Sequence, residues 1–236
     1  DIVFTGLAAS AVTDYAFPDK LVTPAKASLA LNRLDVGVPI EDINASFRIN
    51  TRRRELQLAS LEAQLFGGRV WTEDALLRAN RSSNRIDIGV DGLQLAQLLE
   101  HTGYEAVQAT GSLSGLLPLD ISTSGVTMQR GMLAAQPPGG VFRYQAELTT
   151  NTNAALARVS QALSNYHYSI FQVEADYMEN GDLELAMQLR GKNPDLDSAT
   201  PVHLNLNVTD NIPMLLKSLQ SGRNITDIIG RRAAGE

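Results

Sequence analysis

The sequence predicts a mostly β fold of the α+β class, built from antiparallel strands with a few short helices. Three observations predict it. Apolar residues recur at every second position through most of the first 150 residues, turn residues separate these runs, and helical spacing is confined to short stretches. A period of two gives a strand one dry and one wet face, and strands joined directly by turns form antiparallel sheets.

The alternating runs follow one another along the chain. Their apolar positions include Leu29 and Leu31, Phe47 and Ile49, Leu56 and Leu58, Ile86, Ile88 and Val90, and Leu117, Leu119 and Ile121. Glycine and proline turns lie between the runs, at 67–68, 91–92, 125 and 137–140. One short helix interrupts the strands, because Leu95, Leu98 and Leu99 have i, i+3, i+4 spacing.

The pattern changes near residue 150, which predicts an antiparallel sheet over 1–150 and a mixed helix and strand segment over 151–236, continuous with the same sheet. A helical stripe runs through Leu156, Val159, Leu163 and Tyr166. A hairpin over 170–189 follows, turning at Asn180-Gly181, a common type I′ pair. A strand over 202–208 comes next. Two short helices over 211–219 and 224–230 close the chain, with the apolar stripes Ile212, Leu215, Leu216 and Leu219, and Ile225, Ile228 and Ile229.

Composition excludes several classes of protein. The formal net charge is −6 and the pI about 5.1, so the basic footprint of a nucleic-acid-binding protein is absent. The absence of cysteine excludes disulfides, thiolate catalysis and cysteine-based zinc sites. No apolar run reaches the ~18 residues that a membrane helix needs. The chain opens as if inside a strand, so we expect it to be a piece of a longer protein.

The sequence offers no catalytic or metal-ligating pattern, and no cofactor is expected. His101, His167 and His203 are far apart, without the i+2 or i+4 spacing that would bring two of them together. The segment Gly111–Gly115 has a leucine at its centre, where a nucleophile elbow has its serine. A non-enzymatic protein is therefore predicted.

The only basic run is Arg52-Arg53-Arg54. A solvated turn between two strands is the favoured interpretation, because Glu55 follows and no aromatic residues interleave. Contact with lipid headgroups or nucleic acid is the alternative.

Two longer stretches carry a family resemblance. The first runs from Gly111–Ile121 through Gly131–Ala135 to Pro138–Tyr144, and the second is Pro201–Leu219. Together they resemble the C-terminal region of the YdbH family of bacterial envelope proteins, which is similar to the AsmA-like bridge proteins of the TamB and YhdP types.

The resemblance implies a long curled sheet in the periplasm of a Gram-negative bacterium, with an open, taco-like apolar groove. Such a groove passes phospholipid between the inner and outer membranes. The full-length protein would be anchored in the inner membrane by an N-terminal helix, and this chain would be its outer-membrane end. A small outer-membrane lipoprotein of the YnbE type would be the partner, joining an open sheet edge by strand addition.

Period and resemblance together give a site hypothesis. The predicted lipid-binding residues are Leu29, Leu31, Phe47, Ile49, Leu56, Leu58, Ile86, Ile88, Val90, Leu117, Leu119 and Ile121. The predicted partner or membrane docking residues are Ile212, Leu215, Leu216, Leu219, Ile225, Ile228 and Ile229. The alternative function is a structural module that scaffolds an envelope complex without binding lipid, which predicts a closed core. A hydrolase would need serine, histidine and carboxylate groups to converge.

Overall fold

The computed structural model describes residues 3–16, 20–23, 26–102, 107–144, 160–196 and 201–211. In this part of the chain sixteen strands form one antiparallel sheet. The first nine are β1 (Val3–Thr5), β2 (Ala8–Ser10), β3 (Asp14–Ala16), β4 (Lys20–Val22), β5 (Ala27–Asp35), β6 (Pro39–Asn50), β7 (Glu55–Leu65), β8 (Gly68–Arg78) and β9 (Ser83–Gln94). Helix α1 (Leu95–Thr102) follows. The remaining strands are β10 (Val107–Ala109), β11 (Ser112–Ser122), β12 (Val126–Ala135), β13 (Gly140–Tyr144), β14 (Tyr166–Tyr177), β15 (Asp182–Lys192) and β16 (Val202–Asn211).

The sheet is a meander in which strands that are neighbours along the chain are neighbours in the sheet. Short strands merge into rows: β1, β2 and β3 form one row, β4 continues into β5, β10 into β11, and β12 into β13. Eleven successive rows result, ending in β14, β15 and β16. Because β12 pairs with β14, strands from both sides of residue 150 belong to one sheet. The predicted boundary itself lies outside the described residues.

The predicted helix at 95–99 is confirmed as α1, and its apolar stripe packs on the core. Leu95 is buried, and Leu98 and Leu99 pack against the same cluster. The predicted hairpin over 170–189 and the strand over 202–208 are confirmed as β14, β15 and β16. Residues 160–163 are helical, but Tyr166 begins β14 and does not continue the helix. Its ring is fully buried among strand residues, which overrides the helical spacing.

One face of the sheet is apolar from β5 to β16. Residues paired across antiparallel strands point to the same face, so the register decides which side chains lie together. A slip of one residue in the pairing would move the apolar side chains of a strand to the polar face. The β-bulges at the register shifts prevent this. At Asp42, for example, φ is 50°, and this local turn keeps both the Leu34–Ile40 pair and the Leu31–Ile43 pair on the apolar face.

Burial of the apolar face is uneven. A core of nine buried residues lies where α1 and the segment around Leu163 cover the face: Leu95, Ala109, Leu113, Leu163, Tyr166, Tyr168, Phe171, Val173 and Leu189. Elsewhere, Leu29, Phe47 and Leu56 are only half-buried. The sheet is not strongly curled, which differs from the curled, taco-like sheet expected from the resemblance. The physical reason is that side chains such as Leu29 and Leu56 are only half-buried, whereas a sheet folded over on itself would cover them.

Two tyrosines tie rows of the sheet together, and they make stability depend on pH. Tyr166 Oη donates to the Val202 carbonyl and Tyr168 Oη to the Thr110 carbonyl, both at 2.6 Å. Burial raises the pKa of each phenol to about 12. The unfolded chain ionises these phenols near pH 10, so the stability that they contribute is complete below that pH and is lost between pH 10 and about 12.

We therefore expect the double variant Tyr166→Phe/Tyr168→Phe to be less stable at pH 7, by about 1–3 kcal/mol for each lost hydrogen bond. Between pH 10 and pH 12 its free energy of unfolding should fall less steeply than that of the wild type. Urea unfolding at a series of pH values measures both effects. Equal slopes for the two proteins would show that these phenols do not control the alkaline loss of stability.

The uneven burial predicts a difference between two leucine truncations. Leu189 is 2% exposed in the core, whereas Leu56 is half-buried on the apolar face. We expect Leu189→Ala to cost about 3 kcal/mol, through lost burial and a cavity, and Leu56→Ala about 1 kcal/mol. Chemical denaturation measures both. Equal costs would mean that a second layer covers Leu56 in solution.

Candidate functional site

All twelve residues predicted to bind lipid lie on the apolar face. Along β5, β6 and β7 the pairs that establish this are Leu29 with Ala45, Leu31 with Ile43, Phe47 with Leu58, and Ile49 with Leu56. Across β9 and β11 they are Ile86 with Leu119, Ile88 with Leu117, and Ile121 with Asn84. Strand β8 links the two groups, because Val70 pairs with Ala63 on one side and with Val90 on the other.

The twelve residues are not equally accessible. Val90 is 2% exposed and Ile86 7% exposed, so both belong to the packed interior of the face. The other ten are half-buried. Part of each of these side chains reaches solvent, and this is a property that a bound acyl chain requires.

The apolar face extends well beyond these twelve positions. Strand β8 adds Leu77, which pairs with Leu56, and the last three rows add further apolar residues at the same parity. These are Val173, Leu183, Leu185, Met187, Leu204, Leu206 and Val208. The sequence identified the last three rows as strands with clean alternation. Only the register shows that their apolar residues continue the same face.

The seven predicted docking residues, between Ile212 and Ile229, lie outside the described residues. The strand that precedes them is longer than predicted and runs to Asn211. Among the described strands, β16 pairs with β15 alone.

The two ends of the strands differ, and we name them by what lies there. At the helix rim, α1 lies against the strand ends: His101 Nε2 is 2.6 Å from the Gly37 carbonyl oxygen, and its ring centroid is 5.4 Å from that of Phe66. Among the apolar residues near this rim, Ile43 and Leu93 are buried, whereas Leu34, Ile40 and Leu65 are half-buried. Helix α1 thus covers part of the helix rim.

The arginine rim is the opposite end of the strands, where the turns 51–54 and 79–82 carry Arg52, Arg53, Arg54 and Arg81. All four residues are exposed. The turns are joined by a hydrogen bond from the Ala79 amide to the Arg54 carbonyl, at 2.9 Å. The basic run thus forms an exposed turn between two strands, and the register places it beside the apolar face.

Two depressions lie mainly on the opposite, polar face. One of about 480 Å³ is lined by residues of β2 and β5–β8, including Asn44, Glu62 and Trp71. The other, of about 670 Å³, is lined by residues that include His167 and His203. Both linings include charged side chains, such as Glu62 and Arg69 in the first and Arg190 and Lys192 in the second. The apolar face, which continues across the rows, remains the better candidate site although it is not a deep pocket.

The depression with two histidines provides no catalytic arrangement. Ser169 also lines it, but its Oγ donates to the Arg190 carbonyl at 3.4 Å. His167 Nε2 lies 3.3 Å from Asn165 Oδ1. No group of three or more metal-ligating side chains occurs in the described part of the chain.

Among the helices of the described ranges, none has the length and apolar character needed to cross a membrane. No curated protein and no solved structure is significantly similar to the chain. A family comparison does match, over residues 1–234, to the YdbH-like family described as intermembrane phospholipid transport protein YdbH. The activity of this family is lipid transport and not catalysis. The continuous apolar face and the match over almost the whole length agree, and the chain belongs to the YdbH-like family of intermembrane phospholipid transport proteins.

Proposed function

We propose that the chain carries phospholipid between the two bacterial membranes by holding acyl chains on the apolar face of its sheet. One observation supports this above all: the apolar face continues from β5 to β16, while most of the predicted contact residues on it stay half-buried. Ten of the twelve predicted lipid-binding residues are half-buried, and these ten are the proposed contacts. Ile86 and Val90 form part of the surface beneath them.

The physical properties of this face suit a conduit. Removing apolar surface from water is worth ~25 cal/mol per Å², so an acyl chain gains stability wherever it lies on aliphatic side chains. The ten rows from β5 to β16, spaced ~4.8 Å apart, give a path of roughly 45 Å across the strands. Neighbouring rows offer similar leucine, isoleucine and valine contacts. A lipid therefore meets no single deep minimum and can move from row to row.

The scaffold alternative predicts a filled core beneath a second layer. The half-buried state of Leu56, Ile88 and Leu117 favours the open face. The hydrolase alternative is opposed by the hydrogen bonds of Ser169 and His167, neither of which joins a serine to a histidine.

The proposed partner is a small outer-membrane lipoprotein of the YnbE type, as the resemblance implies. Strand β16 supports this, because backbone groups on the side facing away from β15 could pair with an added strand. Its alternation of Val202, Leu204 and Leu206 with polar residues would extend the apolar face into such a strand. We accordingly propose a periplasmic position at the outer-membrane end of a bridge whose full-length form is anchored in the inner membrane.

Adjacent leucines on opposite faces allow a matched test of the site. Leu117 is half-buried on the apolar face, whereas Leu116 is 48% exposed and pairs with Met132 on the polar face. A photo-crosslinking amino acid would be placed at either position in the full-length protein in its own cells. We expect phospholipid adducts at position 117 and none at position 116. Adducts at neither position, in folded and abundant protein, would favour the scaffold alternative.

The same pair predicts an effect on transport. Leu117→Asp places a charge where acyl chains would lie, so phospholipid delivery to the outer membrane should fall about tenfold or more, given the cost of leaving a carboxylate in an apolar site. Leu116→Asp should leave delivery unchanged, because its carboxylate stays in water. Ile88→Asp should behave as Leu117→Asp does. Normal delivery by a stably folded Leu117→Asp variant would remove this position from the site.

A further inference from the structure

We propose that the arginine rim binds the phosphate of a phospholipid whose acyl chains lie on the apolar face. This inference rests on the proposed function and deepens it, because it assigns the headgroup to one of the two rims. The ligand chemistry is an anionic phosphate with an attached apolar tail.

The rim arginines lie close to the end of the apolar face. Ile49 and Leu56 form the last apolar pair before the 51–54 turn, and Leu77 pairs with Leu56 from the next strand. At about 3.3 Å per residue, the Cα atoms of Ile49 and Arg52 are within roughly 10 Å. All three apolar residues are half-buried. An acyl chain on them would therefore end beside the guanidinium groups.

The arginine rim carries positive charge. Salt bridges found among the described residues involve none of the four rim arginines. The nearest carboxylate in sequence, Glu55, is engaged by Arg78 Nε at 2.9 Å. A further acid near this rim, Asp87, accepts from Arg85 Nε at 3.4 Å. The rim therefore presents a concentration of positive charge on a chain whose net charge is −6, and guanidinium groups bind phosphate with paired hydrogen bonds.

The two rims differ in their access to water. At the helix rim, α1 packs against the strand ends through the contacts of His101 with Gly37 and Phe66. A headgroup must stay in water, and α1 obstructs its path at the strand ends that the helix covers. The turns of the arginine rim are exposed, so a headgroup there reaches water directly. Solvent access and positive charge therefore coincide at the same rim.

The turn geometry makes the rim a fixed feature. The Arg53 amide bonds to Asn50 Oδ1 at 3.1 Å, and the Arg54 amide to the Thr51 carbonyl at 3.2 Å. Arg54 itself has φ of 54°. Because the Arg53 and Arg54 amides already donate within the turn, they are not available to phosphate. The arginine side chains would therefore bind it. A variant that substitutes Arg52, Arg53 and Arg81 keeps Arg54, the rim arginine with a left-handed backbone conformation.

The test compares two triple variants of the full-length protein that lose the same charge. The rim variant is Arg52→Gln/Arg53→Gln/Arg81→Gln. The control variant is Arg33→Gln/Arg69→Gln/Arg143→Gln, which removes exposed arginines elsewhere, two of them in exposed ion pairs that contribute little stability. Each purified protein is titrated with phosphatidylglycerol and with diacylglycerol that have identical fluorescent acyl chains.

We expect the wild type and the control variant to prefer phosphatidylglycerol over diacylglycerol, and the rim variant to lose about fivefold or more of that preference, as expected for losing charge-assisted contacts to phosphate. Diacylglycerol binding should be equal in all three proteins. The preference should also weaken as salt is raised, because exposed charges are screened.

Three outcomes would overturn the inference, and they have different meanings. Equal phosphatidylglycerol preference in the rim and control variants would remove the headgroup role and leave the proposed function intact. Binding of neither lipid by any of the proteins would remove the proposed function as well. Inorganic phosphate is titrated in parallel by phosphorus NMR. Phosphate binding that depends on the rim, without any change in lipid preference, would make the rim a site for free phosphate.

Discussion

Everything in this molecule depends on one constraint: paired residues in an antiparallel sheet must keep the same face from row to row. The side-chain period of a strand is two, so one uncorrected slip would place an entire row of leucines in water. The chain absorbs its irregularities in bulges. At Arg130 the φ is 56°, its amide bonds to Asp176 Oδ1 at 2.7 Å, and the register shift between Met128 and Gly131 leaves Met128 and Leu133 on the apolar face.

A sheet with one open apolar face needs stability from another part of the molecule. Here the buried core around Tyr166, Tyr168 and Leu189 is concentrated where α1 and the residue 163 region cover the face. Two tyrosine hydroxyl groups of β14 tie rows two strands away to that core. The remaining rows are held by backbone ladders and lateral contacts between side chains. This division lets the rows around Leu56 and Ile88 stay accessible without loss of the fold.

The sequence predicted the local features well, because they depend on local chemistry. Alternation located the long strands, Asn180-Gly181 located a hairpin turn, and leucine spacing located α1. Prediction from the sequence failed where tertiary packing determines the structure. Tyr166 fits a helical stripe but begins a strand, since its ring is buried in the core. Val90 has the same local pattern as Ile88, yet is almost fully buried, because accessibility depends on which elements lie above each row. Curvature likewise depends on many rows together, and no single run of residues encodes it.

The difference between the two rims gives the apolar face a direction across the strands, and that direction constrains how a lipid would move. If headgroups lie at the arginine rim, lipids on the rows β6 to β9 lie with their acyl chains pointing away from this rim, so lipids in these rows have the same orientation. Transfer between rows then needs only a sideways step, with the headgroup always in water and the acyl chains always on aliphatic side chains. An exposed arginine contact is weak and screened by salt, so it can orient a lipid without trapping it. A deep pocket with the same groups would hold the lipid in one row, and a shallow face beside a charged rim is therefore the better arrangement for transport.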